Sequence, residues 1–200
     1  MKPPLQFQSK RLNIRPMLRS DYKEWKRAYQ SVLAPQSDFD DAPNYLEFIT
    51  HTRFLSQLKK DRKSMEIGLI YNFQAFDKDS AVLIGDSQLW LVQRGVGQRA
   101  TLGFSVLNNH WRLGFGFEIA NATILHSIKV LNLNRIEAEV LPKNKPSISL
   151  CEKLGMKSEG IRRQALYSDG KWQDHLVFAI TAEDLGIIGR EPDPSFTGII

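Results

Sequence analysis

The chain has 200 residues and 22.9 kDa with 42% apolar residues, which suits a single domain with a full core. No apolar run reaches membrane-spanning length, and the start, MKPPLQFQSKR, lacks the hydrophobic segment of a secretory leader. The single cysteine, Cys151, excludes an internal disulfide and fits a reducing cytoplasm. A net charge of +5 and a pI near 9.3 favour anionic partners, but no Lys/Arg run interleaved with aromatics marks a dedicated nucleic-acid binder.

In chain order, KRLNIRPM over residues 10–17 reads as a first strand ended near Pro16. Ser20 and Asp21 can cap a helix whose Trp25, Ala28, Tyr29, Val32 and Leu33 share a face. Pro35 to Pro43 is a loop, and its Asp38, Asp40 and Asp41 lack calcium-loop spacing and read as solvated. Tyr45 to Lys60 is a second helix with Leu46, Ile49, Phe54, Leu55 and Leu58 inward; such a helix-loop-helix can wall a substrate cleft. Met65 to Tyr71 and Ala81 to Val92 are strands joined around Asp77-Lys78-Asp79, and Gln93 to Gln98 is a hairpin connection.

The stretch from Thr101 to Val130 organises the rest: a strand to Leu107, a break at Asn108-Asn109, then a turn, Trp111 to Gly116, entering a helix at about Phe117. Phe117, Ala120, Ile124, Ile128 and Leu131 give the helix one apolar face. A helix start behind a turn of low bulk is a ready anion site, because the first-turn N–H groups lack internal acceptors and the dipole favours negative charge. Gly114 and Gly116 would let the backbone approach such a ligand, or simply supply positive φ angles at a strand-to-helix turn. The pattern is neither a dinucleotide fingerprint nor a P-loop: the third glycine is missing and no Lys-Ser/Thr follows.

Downstream, Arg135 to Leu141 is a strand, and Asn144 caps a short helix ending at Leu154-Gly155, with Pro146 tolerated in its first turn. Ile161 to Tyr167 and Trp172 to Thr181 form a hairpin turned at Ser168-Asp169-Gly170. The expected order is βααβββαβαββ, an α/β (α+β) fold with a mixed, largely antiparallel sheet flanked by helices. Residues 1–182 are expected to form one domain and residues 183–200 an appended tail.

Taken jointly and in order, HWRLGFGFE, LNRIEAEVLPKNKPS and LCEKLGM resemble the GNAT acetyltransferases, which use acetyl-coenzyme A. With DGKWQDHLVFAI downstream, the chain is similar to the Rim-type enzymes that acetylate N-terminal residues of ribosomal proteins. The resemblance covers about Ser9 to Thr181 and implies roles residue by residue. Phe104, Ser105 and Val106 match the strand that pairs with the pantetheine arm, and a backbone N–H within Gly103 to Val106 would hold the thioester carbonyl. Arg112, Leu113, Gly114, Phe115, Gly116 and Phe117 match the pyrophosphate loop. Trp111 stands where the general family pattern has Gln or Arg, so the phosphate contact rests on backbone N–H groups, with Arg112 adding charge. Asn144 and Ser147 match positions beside the coenzyme; from the residues alone they are a helix cap and a first-turn serine.

The implied reaction needs an uncharged amine nucleophile. An α-amine, with a reference pKa of about 7.7–8.0 against about 10.4 for lysine, asks only for a modest base. Glu137 and Glu139 lie on one face of a strand, and Glu139 matches a glutamate that some GNAT enzymes use as base. The competing reading is a solvated acid pair, favoured if Arg135 and Lys143 bind them. Cys151 stands where many relatives place a tyrosine that protonates the leaving thiolate; it is a candidate acid or, more ordinarily, packing, and Ser147 is an alternative donor. His175 and Asp174, matching a W-x-D-H segment, face opposite ways on their strand. His51, His110 and His126 lack metal-ligand spacing and no metal is expected.

The reading is therefore a cytoplasmic, acetyl-CoA-dependent N-acetyltransferase without membrane attachment, a monomer or homodimer. Its expected acceptor is the N-terminal amine of a protein, plausibly ribosomal, with possible association with the ribosome. Two alternatives stand: a polyamine or aminoglycoside acetyltransferase, and a non-catalytic coenzyme-pocket module that binds ribosomal RNA or an assembly intermediate.

Overall fold

The computed structural model of the chain describes residues 4–40, 49–168, 170–189 and 191–192. The expected helix start at Tyr45 with Leu46, the loop residues Asp41 and Pro43, Asp169 of the last hairpin turn, and residues 193–200 of the tail lie outside the described residues.

The elements are β1 (Phe7–Gln8), β2 (Leu12–Arg15), α1 (Tyr22–Gln30), α2 (His51–Glu66), β3 (Ile70–Asp77), β4 (Leu83–Gln93), β5 (Arg99–Val106), α3 (Phe115–Lys129), β6 (Arg135–Val140), α4 (Lys145–Lys153), β7 (Lys157–Ser168) and β8 (Lys171–Thr181). The strands form one sheet of eight in the order β1-β2-β3-β4-β5-β6-β8-β7. It is the expected mixed α/β class, largely antiparallel, with β5 and β6 as a parallel pair. A parallel pair needs a crossover, and the chain makes it through α3.

The periodicity misses the short strand β1 and starts β7 at Ile161 rather than Lys157, and the boundary between α2 and β3 differs as well. α2 continues to Glu66 rather than stopping at Lys60, and β3 starts at Ile70 rather than Met65. Gly68, at φ +68°, supplies the left-handed turn that ends the helix, and the Leu69 N–H closes on the Ser64 carbonyl. Met65 to Tyr71, apolar apart from Glu66 and Gly68, reads as one strand, but the alternation that packs a strand begins only at Tyr71, Phe73 and Ala75.

The chain divides into two compact units, Met1–Trp90 with Gly103–Thr123, and Leu91–Leu102 with Ile124–Ile200. In the first, Leu12, Ile14, Phe73, Leu83, Leu89 and Ile119 are fully buried, each such burial stabilising by roughly 1.5–3 kcal/mol. The buried hydroxyls of Ser87 and Thr123 satisfy each other at 2.8 Å, with Thr123 donating onward to the Ile119 carbonyl. Tyr22 and Trp25 of α1 pack on Phe54 of α2 at 5.3 and 5.2 Å between ring centres. In the second unit, Ile136, Ala138 and Val140 of β6 and Val177 to Ile180 of β8 form the core with Ile124, Ile128, Leu133 and Cys151.

Candidate functional site

In the first unit the strand-to-helix turn is built by side chains that hold backbone. β5 ends at Val106, whose carbonyl accepts the Trp111 indole N–H at 2.7 Å, so the tryptophan ties the turn to the strand it leaves. The backbone then passes through positive φ at Arg112 (+63°) and Gly114 (+82°), and α3 begins at Phe115. Helix therefore starts two residues earlier than the periodicity places it. Of the glycine pair only Gly114 takes the left-handed conformation, Gly116 lying inside the first helical turn. The second left-handed position belongs to a non-glycine residue, Arg112, a conformation that costs about 1–2 kcal/mol. A Cβ at Gly114 would meet only the Arg11 Nη2, at 3.6 Å, so its need for glycine is conformational. Arg112, Leu113 and Gly114 are exposed where the helix begins, and the N–H groups of a first helical turn are the ones that the helix itself does not use.

The turn is clamped from Arg11, the residue that leads into β2. The Arg11 guanidinium pairs with Glu118 at 2.7 Å, donates to the Leu113 carbonyl at 3.1 Å and lies 4.1 Å over the Phe115 ring. Glu118 also accepts the Ser9 hydroxyl and the Arg11 amide, at 2.7 and 2.6 Å. Burial opposes its ionisation, but the bonds from Ser9, from the Arg11 amide and from the guanidinium hold its carboxyl below the usual range. A carboxylate at a phosphate-type turn would repel an anion; here its charge is neutralised by Arg11.

Asn108, just ahead of the turn, is buried and organises the segment after α1. Its Oδ1 accepts the Leu33 N–H at 2.7 Å, while Nδ2 donates to the Leu33 carbonyl at 2.8 Å and to the Asp40 carboxylate at 3.0 Å. Asp40, expected to be solvated, is thus a loop fastening, and it accepts the Gln36 N–H as well. Ser105 donates its hydroxyl to Asp86 on β4 at 2.6 Å. Burial pushes the Asp86 carboxyl up against the opposing effect of that bond.

The structure puts Phe104, Ser105, Val106 and Arg112 to Phe117 in the first unit, and Glu139, Asn144, Ser147 and Cys151 in the second. Asn144 caps α4, its Oδ1 accepting the Ser147 N–H at 3.2 Å. The Ser147 hydroxyl is half-buried and makes no hydrogen bond among the described residues. Cys151 is 1% exposed, and its thiol is pushed up to about 11, first by burial and then by Glu152. Glu137 is buried and takes Arg135 at 2.8 Å, Arg99 at 3.5 Å and Arg162 at 3.8 Å. Glu139 pairs with Arg162 and Arg135 also holds Glu159, so both acids of the strand are engaged by arginines. A base at Glu139 would have to share its oxygen with Arg162. His175 is buried and Asp174 exposed, as strand alternation requires. Asp174 accepts the Gln164 N–H at 2.8 Å, bracing a bulge in β7 where Gln164 takes φ +49°.

Among the described residues no group of three or more His, Cys, Asp or Glu could hold a metal ion, and no helix is long and apolar enough to cross a membrane. The residues that sequence reasoning missed are Arg11, Asn108 and Asp86. Arg11 and Glu118 are 107 positions apart, and nothing local in either stretch announces the pair.

Residues 11–157 match the family described as the acetyltransferase (GNAT) domain, more than half of the chain. The chain is 33% identical over 133 residues to the probable N-acetyltransferase YjcK of Bacillus subtilis, covering 66% of this chain and 70% of that protein. It is also 33% identical over 117 residues to the [ribosomal protein uS5]-alanine N-acetyltransferase of Escherichia coli, covering 58% of this chain and 60% of that enzyme. Among solved structures, Mycobacterium smegmatis RimJ in complex with CoA-disulfide superposes with a TM-score of 0.77 at 25% identity, covering 92% of each chain.

Proposed function

The chain belongs to the GNAT acetyltransferase family, and from that premise we propose that it transfers acetyl from acetyl-CoA to the N-terminal α-amine of a protein, with ribosomal proteins as the acceptor class. The observation that carries the reading is the turn from Trp111 to Phe115: two left-handed residues, an exposed helix start and a neutralised Glu118. These suit a diphosphate held by main-chain N–H groups. The likeness to the Escherichia coli uS5-alanine enzyme supports the acceptor class.

In this reading Arg112 to Phe117 hold the pyrophosphate and Phe104 to Val106 receive the pantetheine arm and the thioester carbonyl. Asn144 and Ser147 contribute further coenzyme contacts. Bound acetyl-CoA supplies the activated acyl group and leaves as the thiol. Glu139, working beside Arg162, takes the proton of the acceptor, directly or through water, and Ser147 is the proton donor to the leaving sulfur. Cys151 is assigned to packing, because it is fully buried in the core of the second unit.

The test is thiol release from acetyl-CoA with a panel of N-terminal peptides, polyamines and aminoglycosides. Release with peptides only is the expected result. Release with polyamines or aminoglycosides alone replaces the acceptor class. No release with any acceptor, alongside salt-sensitive RNA binding, returns the chain to a non-catalytic module. Within the active enzyme, E139Q should lower kcat by about 100-fold or more with coenzyme affinity unchanged.

A further inference from the structure

Asp86 stands apart from the other half-buried acids of the first unit. Asp21, Glu24 and Glu118 are each bound by an arginine. Asp61 accepts both Gln57 and Asn72, Asp40 accepts Gln36 and Asn108, and Asp77 accepts the Ser80 hydroxyl and two turn amides. Each therefore has two or more donors. Asp86 has one, the Ser105 hydroxyl, and no cation among the described residues. Half-buried charge with so little compensation is costly, which is reflected in the upward push on its carboxyl. Such a group is common in a fold only where something else completes it.

Its surroundings say what that is. Gln74 lies directly across from Asp86 in the β3–β4 register, and Gln88 and Trp90 follow at alternate positions, so all four side chains share one face of the sheet. Gln74 and Gln88 are half-buried, yet neither carboxamide makes a hydrogen bond among the described residues. Arg15, which lies across from Gln74 on the other side, is taken by both oxygens of Asp21. Trp90 is 39% exposed, and its indole leans over the bare backbone of Gly103, where a Cβ would come within 2.6 Å of the ring. Gly103 is what lets the indole lie there. Unfilled carbonyl acceptors, an uncompensated carboxylate and an accessible aromatic face are the components of an ammonium site.

We propose that this face of β4 seats the acceptor's ammonium group, with Asp86 as its counter-ion and the Trp90 indole as its aromatic wall. The inference rests on the acetyltransferase reading for its placement, since Ser105 and Gly103 belong to the strand assigned there to the thioester. It adds the acceptor side: a primary amine, recognised as its cation before it reacts, by a carboxylate that no guanidinium among the described residues occupies.

The experiment is NMR of the full chain, following the Trp90 indole N–H (assigned with W90F) during titration with a tetrapeptide bearing a free N-terminal alanine and with its N-acetylated counterpart, both in the presence of coenzyme A. The Trp90 signal should shift with the free amine and not with the acetylated peptide, and D86N should weaken that binding at least tenfold. D86N retains an oxygen for Ser105 and is nearly isosteric, so it tests charge rather than folding, and D86E should restore part of the affinity. In turnover, D86N should raise the acceptor KM far more than that of acetyl-CoA. Equal shifts with both peptides, no shift with either, or binding unchanged in D86N would overturn the proposal. Binding that follows the expected pattern without acetyl transfer would leave the ammonium site standing and remove the catalytic reading instead.

Discussion

A single side chain in this protein often fastens main chain that is distant in sequence, and the cost of removing it depends on what is left unpaired. Glu137 shows that cost most clearly, although its partners are side chains rather than main chain. Its buried carboxylate sits among Arg99, Arg135 and Arg162. E137A should therefore cost about 3 kcal/mol of stability by urea unfolding, while E137Q, which keeps one acceptor oxygen, should cost about 1–2 kcal/mol. Gly114 is constrained by conformation rather than by space. G114A, forced to φ +82°, should lose about 1–2 kcal/mol and raise the KM for acetyl-CoA, with kcat at saturation little changed. Cys151, buried and with its thiol near 11, should resist alkylation at pH 8 until the protein is unfolded, and C151A should keep near-normal turnover. A loss of turnover in C151A would return the cysteine to the mechanism.

Between elements, the clamp that Arg11, just ahead of β2, sets on the first turn of α3 is the feature that shapes the turn. Arg11 holds Glu118, the Leu113 carbonyl and the Phe115 ring at once. The carboxyl of Glu118 is held below its ordinary value in the folded protein, so its contribution is complete above the unfolded value of about 4.3 and is lost as pH falls through the lower folded one. The stability difference between wild type and E118Q should accordingly be constant near pH 6 and shrink on acidification toward pH 3. A difference that grows on acidification would show the sign to be wrong. R11M retains much of the apolar stem and removes the ion pair. Because the guanidinium is partly exposed, its stability cost should stay near 1 kcal/mol, while coenzyme affinity falls with the released Glu118 charge.

At the scale of the whole molecule, the net charge of +5 bears on encounter rather than on fold. Turnover of acidic peptide acceptors should fall with added salt more steeply than turnover of neutral ones. How much was legible in the sequence follows the range of the forces involved. The helices, the strands, the Asn144 cap and the turn at Gly114 depend on spacing and on residues a few positions apart, and each could be read from the chain. The end of α2 was misplaced because an apolar run carries no mark of where helix gives way to strand, except for the Gly68 turn. The linear order of residues thus determined the fold class and the family to which the turn belongs. Only the tertiary structure decided which charges are occupied: Arg11 on Glu118, Arg162 on Glu139, and Asp86 with nothing but Ser105 among the described residues. Electrostatic and hydrogen-bond partners are chosen by proximity in space, and the sheet brings together strands whose separation along the chain leaves no local signature.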